Sequence, residues 1–592
     1  MLARVDAEEQ VHTQADLCVA SASEESSEEC GAVEVQNFDF ELVNSDGETQ
    51  PTMRSFQIEQ LGWFAIPLGL VAFVCTTIPW LAEGYSWAAW VGVACGMTLA
   101  VSRGFASSLW VAWLWCGGVL GTAFHWSPAA MAYTLSSSYA IGFAVAAPLF
   151  VWDGLRLALG FWLAAKLTRD IRYYWFAAAA TTIFLEYVVP GVFPWKLGLT
   201  QLSNPWLIQG IDLFGASFST FVVFAVAGAL QLAAFGAWRW FSACRKQVIT
   251  KHQASVDPIT AADGTIGSVY GLRLAGSPVL LTVCCIAIYN TIAWQYWSNL
   301  SSNAPKIRIG LVQVDPSFVE STDNAREQTN AIAGQVDLVC WPESSAGNYD
   351  LQLKSLADDE LTFQMSRDPD RGLRPWPSPA CELLLGGKNY VGDPDEGGKL
   401  FVTAMLIDKN ESIVARHDKR FLMPFGEYVP GEAYIPGLKQ LFDMAEYVEP
   451  GKTALPIESS TGARIGTMLC YEDMVPRAAR EMVANKANLL ISLVNGSAFE
   501  SHYTLYQHRL ISHLRAIESR RYFVRCAATG ETCVINPLGE IESRLPMQVN
   551  GAMVSEVGLI EARSFYSRFP WLLPTLGGVC LVLLLRKHRK PR

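Results

Sequence analysis

The stretch ARIGTMLCYEDMVP (residues 463–476) decides how the rest of the chain is read. A short apolar run ends in Cys470, and Tyr471, Glu472 and Asp473 follow at once. An apolar run of this length that stops in charge reads as a buried strand. The side chain at its end then lies where strands give way to loops, the usual place for functional groups in α/β folds. A cysteine there is either an inert core filler or a nucleophile, and a nucleophilic thiol needs a base or a nearby positive charge to form thiolate.

Working outward, the same rhythm recurs over residues 300–565. KIRIGLVQV (306–314), VDLVCWPE (336–343), CELLLGGKNY (381–390) and FVTAMLID (401–408) read as strands. GARIGTMLC (462–470), NLLISLVNG (488–496) and ETCVINPLG (531–539) continue the series, with helical patterns in STDNAREQTNAIAG (321–334) and TLYQHRLISHLRAIESRRYF (504–523). Buried strands separated by helices predict an α/β sandwich with its helices outside. A second strand ends in Glu343, within LVCWPES, and VARHDKRFLMPFGEYVP presents Lys419 just after another apolar run. A carboxylate raised in pKa by a dry surrounding takes a thiol proton, and a lysine stabilises a thiolate and then an oxyanion. Alone, each residue has a bland reading as buried cysteine, surface lysine or surface glutamate.

The first half of the chain differs in kind. The 592 residues exceed one compact core, and 51% hydrophobic against 17% charged residues leans toward membrane composition. Residues 1–55 carry thirteen acids and two bases, which accounts for the chain's whole net charge of −11. That acidic, serine-rich head (1–58) reads as solvated disordered chain. Nothing basic enough for nucleic acid follows it. The 14 cysteines are scattered, apart from adjacent Cys284 and Cys285, with no metal-ligand spacing. No cleaved signal sequence is expected before residue 60.

Apolar runs long enough for a bilayer occupy 61–81, 87–101, 109–126, 139–167, 173–190, 207–238 and 278–297. The fourth holds Asp153 and Arg156, a pair at i, i+3 that raises the option of two segments. With seven spans and an inside N-terminus, the basic residues fall on inner loops, and the outer loops between spans hold only Lys196. A last apolar run, 571–585, precedes the basic tail RKHRKPR. The organisation expected is a seven-helix membrane domain (59–298), an extracytoplasmic α/β domain (300–565), and a C-terminal span with basic tail (570–592). Glu186, inside an apolar span, is a costly carboxyl and a functional candidate.

WPES (341–344), DKRFLMPFGEYVP (418–430), CYED (470–473) and RAIESRRYFVRCAATG (515–530) together resemble the nitrilase, or carbon–nitrogen hydrolase, superfamily. More narrowly, with FLEYVVPGVFPWKLGLTQ (184–201) and NPWLIQGIDLFGASFSTFVV (204–223), they resemble the bacterial apolipoprotein N-acyltransferase family. The resemblance runs from about Leu61 to the C-terminal tail and implies an αββα sandwich. It implies Glu343 as general base, Lys419 as stabiliser of thiolate and oxyanion, and Cys470 as the acyl-carrying nucleophile. Glu427 supports Lys419, while Tyr471 and Glu472 follow the nucleophile and shape its surroundings. Arg515, Glu518 and Arg521, at i, i+3, i+6, read as a structural ion-pair ladder. The sequence departs from the family's pattern at Ala498, Ala528 and Thr529, and lacks a tryptophan after the first strand.

The activity implied is transfer of a fatty acyl chain from a phospholipid to the N-terminal amine of a diacylglyceryl apolipoprotein, through a cysteine thioester. No metal or organic cofactor is implied. The location implied is the bacterial inner membrane with the catalytic domain on the periplasmic side, and a monomer is expected. The alternatives are a membrane-tethered nitrilase-type amidase and a non-catalytic lipoprotein-binding relative.

Overall fold

The computed structural model describes residues 58–59, 62–103, 109–168, 171–191, 194–254, 278–314, 321–344, 381–391, 398–410, 413–438, 440, 442, 447–497 and 501–589. The acidic head other than Ile58, and Ala498, lie outside them.

Residues apolar around the whole helical circumference make helices with no wet face, and these open the chain. They are α1 (Ala65–Thr77), α2 (Ser86–Val101), α3 (Leu109–Ala123), α4 (Ser127–Thr134), α5 (Tyr139–Leu167) and α6 (Ile171–Val188). After two short 3-10 turns come α7 (Ala216–Ala254) and α8 (Pro278–Ser302). Three stretches, Tyr139–Leu167, Ala216–Trp238 and Pro278–Ser302, are long and apolar enough to cross a bilayer, while Ala65–Trp80, Ser86–Val101 and Leu109–Ala123 are shorter apolar helices.

The fourth apolar run is one helix of 29 residues, not two segments. Asp153 and Arg156 do not break it, because they pair with each other at 2.9 Å, and Trp195 donates to Asp153 at 2.9 Å. The run 109–126 is shorter than its apolar pattern. The chain turns after Ala123 and forms α4, with Pro128 in its first turn.

Among the described residues, three further helices, α9 (Ser321–Ile332), α10 (Pro476–Ala484) and α11 (His502–Ser519), and twelve strands build the second half, and α12 (Leu572–Arg589) follows them. The first six strands are β1 (Lys306–Gln313), β2 (Leu338–Cys340), β3 (Glu382–Val391), β4 (Lys399–Ile407), β5 (Ile413–Asp418) and β6 (Ile457–Glu458). The others are β7 (Arg464–Leu469), β8 (Leu489–Val494), β9 (Phe523–Ala527), β10 (Thr532–Ile535), β11 (Ile541–Leu545) and β12 (Gly551–Gly558). They form two six-stranded sheets, ordered β12-β1-β2-β3-β4-β5 and β11-β10-β9-β8-β7-β6. Neighbours β1, β2 and β3 run parallel, as do β7, β8 and β9.

Period-2 burial sorts the side chains into layers. Ile309, Leu311, Leu338 and Cys340 of one sheet meet Ile465, Leu469, Ile491 and Leu493 of the other. Val312, Val339 and Trp341 face α9 instead, and Met468 and Leu490 pack with residues of α10. The result is an αββα sandwich, the α/β arrangement with outer helices that the strand pattern predicts and the layering that the resemblance implies.

Buried polar contacts fasten the two halves together. Arg520, in the left-handed conformation (φ 51°) at the end of α11, donates to Gln209 Oε1 at 2.7 Å and to the Gln209 carbonyl at 2.9 Å. It pairs with Asp212 at 2.9 Å, and Asp212 also accepts from Tyr289 at 2.7 Å and Trp297 at 3.0 Å. A left-handed residue there stops α11 at Ser519, which corrects the expected charge ladder. Arg515 and Glu518 pair at 3.0 Å, but Arg521 lies past the helix end and donates to the Ala487 carbonyl at 2.9 Å. Helix α12 returns against α6, and a Cβ at Gly577 would lie 2.7 Å from the Ala180 carbonyl oxygen, the close approach that small residues allow between apolar helices.

Candidate active site

Strands β2, β5 and β7 all run toward the same edge of the sandwich, and each hands the chain to a reactive residue just past its end. Trp341 N–H still donates to the Leu384 carbonyl at 2.9 Å, so β3 holds the chain up to Glu343. Here β3 carries glycine for a steric reason: a Cβ at Gly386 would lie 2.7 Å from Glu343 Cα. Lys419 follows β5, and its N–H donates to the Val402 carbonyl at 2.8 Å. Cys470 follows β7 and opens a 3-10 turn, Cys470–Met474, with φ at 47°. Left-handed backbone is strained for a residue with a side chain and marks places where surroundings impose geometry.

PFGEYVP makes the tight turn that returns a carboxylate to the lysine. Phe425 takes φ 66°, its N–H donates to the Tyr428 carbonyl at 2.8 Å, and Glu427 N–H donates to the Met423 carbonyl at 2.9 Å. Glu427 then accepts from Lys419 Nζ at 2.5 Å and from Met423 N–H at 2.7 Å. Glu343 lies 3.4 Å from Lys419 Nζ and close enough to Cys470 for each to shift the other's protonation. Cys470 Sγ sits 3.6 Å from the Asn495 carbonyl.

These groups are dry: Glu343 is 6% exposed, Lys419 2% and Cys470 8%. Burial pushes the Glu343 carboxyl up, with Lys419 pulling it down and Glu427 pushing it further, and the net direction is up. Burial pulls the Lys419 ammonium down, but the Glu343 and Glu427 carboxylates outweigh it and hold the lysine above its usual range. Burial, then the Glu343 charge, raise the Cys470 thiol, with Lys419 opposing. The thiol therefore stays protonated until a neighbour takes its proton, and the raised carboxyl of Glu343 is the carboxylate whose charge acts most strongly on it.

Two expected neighbours stand elsewhere. The Glu472 side chain turns inward and is fully buried, so it does not line an open pocket. Its carboxylate accepts Leu469 N–H at 2.9 Å, Arg420 N–H at 2.8 Å and Phe421 N–H at 3.2 Å, with His417 Nε2 at 3.4 Å. Burial raises its pKa, but His417 and these N–H donors outweigh that and the net direction is down. One carboxylate thus ties the residue before the nucleophile to the two after the lysine. Tyr471 packs against the apolar cluster that includes Trp80, Phe124 and Trp195 of the helical half, as does Met474. The nucleophile turn therefore rests on the membrane-type helices. Helix α11 adds Gln507, which accepts from Trp126 Nε1 at 2.9 Å and donates to the Ala123 and Trp80 carbonyls at 2.8 and 3.1 Å.

Glu186 is absorbed locally. It accepts Leu197 N–H at 2.9 Å and Thr220 Oγ1 at 3.1 Å and so pins the Pro194–Leu197 loop over α7. Sequence reasoning assigned no role to Asp473, His508 and Arg525, which cluster under the Cys470 turn. The signal was an acid immediately after CYE and a histidine and an arginine inside the stretches already quoted, but their pairing is tertiary.

A carbon–nitrogen hydrolase family model matches residues 285–565, and a model of the apolipoprotein N-acyltransferase N-terminal domain matches 61–229. The chain is 30% identical over 286 residues to an apolipoprotein N-acyltransferase of Geobacter metallireducens, covering 47% of this chain and 52% of that one. It is 30% identical to one from Azotobacter vinelandii over 44% of this chain and 47% of that one. In these two matches the chain spans about half the relative's length. With an apolipoprotein N-acyltransferase of Pseudomonas aeruginosa the identity is 25%, covering 82% of this chain and 89% of that one. Among solved structures, Saccharomyces cerevisiae Nit3 of the nitrilase superfamily is 19% identical, with TM-score 0.32, covering 45% of this chain and 94% of that one. Two family models thus meet on one chain: its first half is similar to the N-terminal domain of apolipoprotein N-acyltransferases, and its second half, which holds the Glu–Lys–Cys group, is similar to carbon–nitrogen hydrolases.

Proposed function

We propose that the protein moves a fatty acyl chain from a phospholipid to the N-terminal amine of a diacylglyceryl-cysteine apolipoprotein, with Cys470 carrying the chain between them. The observation that carries this reading is the seat of the nucleophile turn: Tyr471 and Met474, in the turn that Cys470 opens, pack on the apolar helices. An enzyme acting on lipid-anchored substrates needs its thiol at the membrane surface.

In the first half-reaction Glu343 takes the Sγ proton, and the thiolate adds to the ester carbonyl of the phospholipid. Lys419, fixed by Glu427, stabilises the oxyanion together with a backbone N–H of the Cys470–Met474 turn. Collapse expels the glycerol oxygen, which regains the proton from Glu343 and leaves as lysophospholipid; the acyl group stays on sulfur. In the second half-reaction the amine adds to the thioester and gives its proton to Glu343. The thiolate departs and is reprotonated, leaving an amide. Glu472 and Tyr471 act by position, Glu472 through backbone N–H groups and Tyr471 through its packing.

The membrane arrangement belongs to the same proposal. Seven spans over 59–298 put residues 300–565 on the periplasmic side of the inner membrane, and α12 returns the basic tail inside. The enzyme works as a monomer. The reading is tested with purified protein, a phospholipid labelled in its acyl chain and a diacylglyceryl-cysteine peptide. Label recovered as an N-acyl amide on the peptide supports it. Label released as free fatty acid, with the peptide unmodified, identifies a hydrolase instead.

A further inference from the structure

Strand β8 ends at Val494, and the residue just past its end is Asn495. β8 runs parallel to β7 with Leu493 beside Leu469, so Val494 stands in the row of Cys470 and Asn495 one step beyond it. Val494 packs with Cys470, and Cys470 Sγ lies 3.6 Å from the Asn495 carbonyl oxygen. Asn495 is thus a further strand-end residue at the thiol, half-buried where Glu343, Lys419 and Cys470 are buried. Its side chain is held in one orientation. Asn495 Oδ1 accepts the Ser497 N–H at 3.0 Å and the Ser497 hydroxyl at 2.7 Å, the turn an asparagine makes with the backbone two residues on. A backbone N–H can only donate, so the atom it meets is the amide oxygen and not the nitrogen. Nδ2 therefore points away from Ser497, and no described residue accepts a hydrogen bond from it.

An amine that attacks the thioester has to bring its nitrogen within about 3–3.5 Å of the acyl carbon on Sγ. In an N-terminal cysteine the first peptide carbonyl is only two bonds from that nitrogen, so it arrives among the strand-end residues around the thiol. The Lys419 ammonium is already tied to Glu343 and Glu427. The Asn495 amide is a neutral donor left over beside the thiol, and it matches a neutral carbonyl. We propose that Asn495 is an acceptor-binding residue, whose Nδ2 donates to the first peptide carbonyl of the diacylglyceryl-cysteine substrate and so orients the attacking amine. This deepens the acyltransfer reading and rests on it. The competing account is that Asn495 only shapes the turn from 495 to 497.

The test starts from full-length enzyme acylated on Cys470 by a phosphatidylethanolamine labelled in its acyl chain and then freed of donor. Transfer is timed to two acceptors. One is an S-diacylglyceryl-cysteinyl peptide; the other is S-diacylglyceryl-cysteamine, which has the same lipid and a primary amine but no carbonyl. The readout is the ratio of the two rates, compared between wild type and Asn495→Asp. Aspartate still accepts from Ser497 and keeps the turn, but it has no N–H to give. Differences between the two amines, and any effect of the variant on the thioester itself, cancel in that comparison. The expected result is a peptide-to-cysteamine ratio about 3–10-fold lower in Asn495→Asp, the scale of one neutral hydrogen bond. Equal ratios in the two enzymes overturn the proposal. Should Asn495→Asp fail to fold, Asn495→Ala loses the same donor and is read in the same way. Wild-type enzyme that takes no label on Cys470, or loses it only to water, sinks the acyltransfer reading and the proposal with it, an outcome distinct from equal ratios.

Discussion

Lys419 and Glu427 stand eight residues apart in sequence and 2.5 Å apart in space, and the Glu427 carboxylate closes its own turn by accepting the Met423 N–H at 2.7 Å. One side chain thus shapes the PFGEYVP loop and fixes the ammonium beside the thiol. Removing the charge while keeping the shape separates these duties. Glu427→Gln is expected to keep the loop and lower the acylation rate about 10²-fold, the scale of losing one preorganised stabilising contact. Single-turnover labelling checks it, with Lys419→Met expected to fall at least as far.

The pH dependence follows from Glu343. Its carboxyl is held above the usual carboxylate range, burial being the largest cause, and a base works only when deprotonated. Acylation should therefore fall as pH drops through a pKa above ~4.3, the ordinary glutamate value. The profile of kcat/KM against pH measures that limb. Glu343→Gln abolishes both the limb and the activity, with Cys470 still open to alkylation.

Stability depends on carboxyls shifted the other way. Glu472 and Asp473 have folded pKa values below their ordinary ones, because His417 with backbone N–H groups, and His508 with Arg525, outweigh burial. A depressed carboxylate stabilises the fold above its unfolded pKa, and that stability is lost as pH falls through the folded value. Thermal melts should therefore drop steeply below about pH 4. At neutral pH, Glu472→Gln leaves N–H donors of Leu469, Arg420 and Phe421 poorly served and is expected to cost about 1–3 kcal/mol.

Gly386 offers a steric test. Its missing Cβ leaves room for the Glu343 backbone, which an alanine would meet at 2.7 Å. Gly386→Ala should displace the base while leaving the thiol in place. Acyl transfer then falls and iodoacetamide labelling of Cys470 persists; loss of both together would place the damage in the whole fold instead.

Much of this was legible in the chain itself. Glu343, Lys419 and Cys470 each follow an apolar run, but alone each reads as a bland residue; the strings WPES, DKRFLMPFGEYVP and CYED, through the resemblance they carry together, single them out. The strand at 306–314 shows itself by alternation at its start, where Lys306 and Arg308 are exposed and Ile307 and Ile309 buried, and by the buried run that follows, while that within 462–470 is buried after its first residue. Strand β11 escaped, since alternating half-buried and exposed residues from Ile541 to Leu545 look like loop. The helix read through to Phe523 ends at Ser519, because Arg520 turns left-handed to reach Gln209 and Asp212, a decision made by the other half of the chain. Asp473, His508 and Arg525 come together across 35 and 52 residues of sequence, and no local spacing records that. Glu186 stands out in the sequence as a costly carboxyl and a functional candidate, while the loop that hydrogen-bonds it is seen only in three dimensions.

The most direct measurement is intact-protein and peptide mass analysis of the enzyme after incubation with a phospholipid and no acceptor. The account predicts a mass increase of one fatty acyl group, mapped to Cys470, removed by hydroxylamine and absent in Cys470→Ala. An unmodified Cys470 in enzyme that goes on to acylate a lipopeptide, or an acyl group carried on another residue, would contradict it.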